Sequence, residues 1–177
     1  MNKDIVLALD LSTKNSGWAV FTDGELTAHN VINAGSANLY RRIDKMVSEL
    51  KVLMNEYKPT RVVIEDVIPD DVRGNQNVFK ALMYLQAFVM HLMDSYKIKP
   101  ELVVASHWRK NCGIKTGAGV QRPSLKPKDI AFVKEYFNIQ VGDDEADAIC
   151  IGYQATHKPV PVTDDEVIRD SYGFEFA

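Results

Sequence analysis

Four carboxylates stand where a fold could gather them. Asp10 closes the apolar run IVLALD, and Glu65 closes a second one, RVVIE. Asp144 and Asp147 lie three apart in DDEADA, a spacing that puts two side chains on one face of a helix. Singly, each has a plainer reading: a turn former after a strand, or an acid favoured at a helix start. Gathered together, they repel and raise one another's pKa values, so cations must neutralise them. Hard oxygen donors suit magnesium or manganese. Two such ions about 3.5–4 Å apart clamp the attacking and leaving oxygens of a phosphodiester. The expected site is therefore Asp10, Glu65, Asp144 and Asp147 around two Mg2+ ions, with Mn2+ able to substitute. Asp143 stands beside the last pair, and the spacing leaves open whether it or Asp144 is the ligand.

The charge pattern points to a polyanion. The net charge is only -3, but it is segregated. From Leu102 to Lys128 there is no acid, while Arg109, Lys110, Lys115, Arg122, Lys126 and Lys128 are all basic. Positions 143–177 carry nine acids against Lys158 and Arg169. A basic body beside an acidic site suits a nucleic acid held through its phosphates. The six basic residues are the expected phosphate contacts. Within SHWRK, Trp108 reads as core packing beneath the basic loop, and His107 as a capping or solvated residue.

These residues need a scaffold to position them. A chain of 177 residues is one domain, expected over 1–158 with an acidic tail over 159–177. DIVLALDLS, GWAVFTD and ELTAHNVINAG read as three antiparallel strands, with Asp23-Gly24 as a hairpin turn. LYRRIDKMVSELKVLMNEY has helical periodicity and ends before Lys58-Pro59. RVVIEDVI reads as a central parallel strand. NVFKALMYLQAFVMHLMDSY is a helix apolar nearly all round, which points to burial on two sides and a dimer contact. PELVVASHWRK supplies a fifth strand and a turn, NCGIKTGAGVQRPSLKPK a basic loop, and KDIAFVKEYFN and DDEADAICIGYQATH two final helices. The expected architecture is α/β: a mixed five-stranded sheet, three strands antiparallel and then parallel ones, flanked by helices. No apolar run reaches the roughly 18 residues of a membrane helix. The first residues lack a signal-peptide pattern, and Cys112 and Cys150 have no metal spacing. The expected location is the cytosol, with no disulfide.

LALDLSTKNSGWAV, VVIEDV, SHWRK and DDEADAICIGY together resemble the RuvC-type Holliday junction resolvases of the RNase H-like superfamily, in particular the small resolvases of phages and their Gram-positive hosts. The resemblance covers the chain to about His157. It implies catalytic and metal-binding roles for Asp10, Glu65, Asp144 and Asp147. It further implies a homodimer that binds a four-way DNA junction, nicks two strands symmetrically and leaves 5′-phosphate ends, in a bacterial host's cytosol if phage-encoded. The stretch after Glu65 offers no clear aromatic wedge; Phe79 is the nearest and reads as a buried helix position. Other readings share the first motif or the acids. A broader branched-DNA or flap nuclease and an RNA–DNA hybrid ribonuclease need the same carboxylates. A fragment of an actin-like ATPase needs a second domain and a late glycine-rich motif. A non-catalytic DNA-binding module has no use for acids facing DNA.

Overall fold

Burial alternates along the strands and sorts the molecule into layers. The computed structural model describes residues 3–68, 75–116 and 124–157. Strands β1 (Ile5–Asp10), β2 (Asn15–Thr22) and β3 (Glu25–Asn33) form the antiparallel meander. Both Asp23 and Gly24 have positive φ, 52° and 89°, as a two-residue hairpin turn between right-twisted strands requires. Strand β4 (Arg61–Glu65) pairs in parallel with β1, and β5 (Glu101–Val103) in parallel with β4. The sheet order is β3-β2-β1-β4-β5, the mixed five-stranded sheet expected.

Leu7, Leu9, Val20, Val62 and Ile64 face one side, packing with α1 (Leu39–Tyr57) and α2 (Gln76–Ser95). Val6, Ala8, Ala19, Phe21 and Val63 face the other, packing with α3 (Ala105–Asn111), α4 (Lys126–Phe137) and α5 (Asp143–His157). Helix α1 is capped by the Asn38 side chain, which accepts from the Arg41 amide. It ends at Lys58 in the left-handed region with Pro59 next, so it cannot continue.

Three features depart from the sequence reading or lie beyond it. The expected turn after β5 is a short helix, α3, started by His107 and Trp108 amides donating to the Val104 carbonyl. Helix α2 buries only one side, through Leu85, Val89, Leu92 and Met93, and leaves Tyr84 53% and Phe88 54% exposed. The centre of the basic loop, with Arg122, and the acidic tail at 159–177 lie outside the described residues. Among the described residues no helix is long and apolar enough to cross a membrane. Cys112 and Cys150 are buried free thiols.

Candidate active site

Side chains alternate by two along a strand, so Asp10 lies on the Ala8 side of the sheet and Glu65 on the Val63 side. Both are the side that α5 covers. The parallel register pairs Leu9 with Ile64, which leaves Asp10 and Glu65 side by side at the carboxyl ends of adjacent strands. That is the edge where sheets of this kind hold ligands. Helix α5 lays Asp144 and Asp147 over the same edge, and a cleft of about 410 Å³ is lined by all four carboxylates together with Lys126 and Arg109.

Small residues set how near α5 comes. Gly17 stands opposite Asp10 in the register, and a Cβ on it would lie 1.7 Å from the Asp144 carbonyl oxygen. Further along, a Cβ on Gly152 would lie 2.3 Å from the Phe21 ring. The helix therefore rests with its backbone against β2. His29 of β3 pairs with Glu145 at 2.8 Å and holds the first turn of α5 to the sheet.

The electrostatics follow from crowding and burial. Burial, then Glu65 and Asp144, push the Asp10 carboxyl well above the usual carboxylate range, against the opposing pull of Lys126 and Arg109. Burial, then Asp10 and Asp129, push Asp147 up to about 9, with Arg109 opposing. Asp144 is raised by burial and by Asp143. Asp143 is lowered, because it accepts a hydrogen bond from the Lys126 ammonium. One oxygen of Asp147, Oδ1, is buried with no hydrogen-bond partner.

Several cations and donors already hold these acids. Trp108 donates from Nε1 to Glu65 Oε2 at 2.8 Å. Arg109 reaches Asp129 Oδ2 at 3.0 Å and Asp147 Oδ2 at 3.5 Å through Nη2. Among the described residues, no three His, Cys, Asp or Glu side chains are drawn together closely enough to hold an ion as they stand. The donor set nonetheless fits a divalent cation. It offers hard oxygens, includes an unpartnered buried carboxylate oxygen, and carries two acids whose negative charge is costly without a counter-ion. Asp10, Glu65, Asp144 and Asp147 are the residues that would hold it.

The basic residues separate. Arg109, expected at the phosphate-contacting surface, is 6% exposed and serves as a buried counter-ion of Asp129 and Asp147. Its side chain turns inward because Asp129, wholly buried in the first turn of α4, needs a cation beside it. Lys126 lines the cleft, and Lys110, Lys115 and Lys128 are exposed. Arg122 lies outside the described residues. Trp108 is fully buried, as its sequence context implies, and it also donates to Glu65, which the sequence does not show. Periodicity marks a ring as core and is silent about where its N–H points. Asp66, next to Glu65, is buried and accepts from the Val67 amide and from Gln86 of α2. Phe79 is half-buried near the start of α2.

No known family profile matches the chain, and no curated protein matches it in sequence. Solved structures do match its fold. T. thermophilus RuvC in complex with a Holliday junction substrate aligns with a TM-score of 0.67 at 11% identity, over 88% of this chain and 97% of that one. The yeast mitochondrial Holliday junction resolvase Ydc2 aligns with a TM-score of 0.57 at 13% identity, over 84% of this chain and 77% of the other. The chain thus has the RNase H-like fold of the RuvC-type resolvases.

Proposed function

We propose that this chain is a metal-dependent endonuclease that hydrolyses phosphodiesters in branched DNA, with the four-way junction as its main substrate. One observation carries the reading: the parallel pairing of β1 and β4 places Asp10 beside Glu65, under Asp144 and Asp147 of α5, in an open cleft edged by Lys126. An acidic cleft of this kind repels DNA until cations fill it, which suits a nuclease and not a simple binder. Divalent ions, when bound, supply an activated water and charge stabilisation at the leaving 3′ oxygen. Asp10, Glu65, Asp144 and Asp147 would hold those ions, and Lys126, at the cleft edge, would balance charge at the scissile phosphate. Lys110, Lys115 and Lys128 contact the DNA backbone, and Arg122, outside the described residues, belongs to the same basic stretch of sequence.

The 5′-phosphate ends, the paired symmetric nicks and the kinship with phage and Gram-positive enzymes belong to this reading, as does action in the cytosol. Paired nicks need two sites. A second copy docked through the exposed Tyr84 and Phe88 of α2 supplies the other one, and the uncovered apolar stripe there supports it.

The test is nicking of a labelled four-way junction against linear duplex, a flap and an RNA–DNA hybrid, in Mg2+, Mn2+ or chelator. Paired junction nicks that need metal are expected. Asp10→Asn should abolish them while keeping or tightening junction binding. Equal cutting of flaps or hybrids would keep the active site and make the junction one substrate among several. Normal cutting by Asp10→Asn would overturn the assignment of the site.

A further inference from the structure

Two adjacent residues of one short helix each hold a different carboxylate of the site. Trp108 is wholly buried and donates to Glu65 at 2.8 Å. Arg109 reaches Asp147 at 3.5 Å and is itself anchored on buried Asp129 by Nε and Nη2. The Arg109 guanidinium lies 4.1 Å from the centre of the Trp108 ring, so the two side chains brace one another. Helix α3 is fixed in turn by the core. Cys112 packs there, and its thiol donates to the Cys150 carbonyl of α5. A carboxylate bound on one oxygen to a rigid donor keeps its other oxygen aimed. Glu65 is so held on Oε2, and Asp147 keeps Oδ1 without a partner.

We infer that α3 is a positioning element for the carboxylate cluster, with the Trp108 indole N–H orienting Glu65 and the Arg109 guanidinium orienting Asp147 for cation binding. This rests on the reading of those acids as ion ligands. Both act through the acids they hold. The same two contacts explain a Trp-Arg pair in the helix after β5: Val103 stands opposite Glu65 in the β4–β5 register, so the helix that follows arrives beside that carboxylate.

The informative variant is Trp108→Phe, which keeps a ring in the core and removes the indole donor; because it also loses part of the buried ring, its melting temperature is measured beside its affinity. Mn2+ affinity by calorimetry should weaken about tenfold or more, the usual effect of losing an outer partner of a ligand. The junction nicking rate should fall about 10–100-fold, with KM and junction affinity in chelator unchanged. A second measurement needs no variant. In the native protein, the Trp108 indole N–H resonance should be protected from exchange and should move on adding Mg2+, while that of Trp18, across the sheet, stays in place. Combined with Glu65→Gln, Trp108→Phe should add little further loss of affinity, because the two act through one contact. Unchanged Mn2+ affinity in Trp108→Phe, or a Trp108 indole indifferent to Mg2+, would overturn the inference. A native protein whose indole responds and whose variant loses affinity, but which cuts no nucleic acid, would support the positioning role and overturn the nuclease reading instead.

Discussion

Asp147 is the residue at which burial, charge and chemistry meet. Its carboxyl is pushed up to about 9 and that of Asp10 also lies well above the ordinary range. A folded-state pKa above the unfolded one means that the native state binds the proton more tightly. The stability this contributes is complete below about pH 4 and is lost as pH rises through the folded value. Without divalent metal, the melting temperature should therefore fall between pH 6 and pH 9, and Asp147→Asn should flatten that fall. Added Mg2+ should restore more stability at pH 9 than at pH 6, since ion and proton compete for the same oxygens. For a chain of this size, each 1 kcal/mol relieved corresponds to about 2–4 °C. Melting curves across pH, with chelator or Mg2+, check all three. A flat profile in the native protein would mean that the acids are already neutralised within the fold. At this scale the sequence showed how four acids could share one edge, because alternation and helical spacing fix side-chain direction; it did not show that Asp66 lines the same cleft. It did not tell that Arg109 turns inward. That depends on Asp129, which meets it only when α3 and α4 have both packed against α5.

At the scale of elements, placement of α5 decides whether the acids converge. The helix sits low because Gly17 and Gly152 leave room for it. Gly17→Ala puts a methyl group into the Asp144 backbone, which cannot yield as a flexible side chain would. The expected cost is about 1–3 kcal/mol, typical of overpacking, and metal-dependent nicking should drop more than the lost stability alone accounts for. Gly24→Ala, at the distant hairpin turn with open space around it, should lose stability through its positive φ but keep its activity. Equal activity in the two variants would separate the height of α5 from function. The strands and long helices were legible from periodicity and turn chemistry. The helix α3 was not, since seven residues with two basic side chains carry too little pattern to separate helix from turn.

At the scale of the whole molecule, an apolar stripe among the described residues stays uncovered. Tyr84 and Phe88 are one helical turn apart on α2 and more than half exposed. A charge there should break a dimer without touching the cleft. If the proposed dimer forms there, Phe88→Glu is expected to sediment as a monomer, to keep the Mn2+ affinity of the native protein, and to nick junction strands singly and not in the proposed pairs. A native protein that sediments as a monomer would place the second nick with some other device. The mixed sheet also has a consequence in time. Asp10 and Glu65 come from strands 55 positions apart, and the last two acids arrive on the final helix described. A ribosome has therefore made both sheet-borne acids long before α5 exists to close over them. Until residue 147 leaves the tunnel and that helix docks, the growing chain carries only half a site. The cleft that all four acids line exists only in the completed fold.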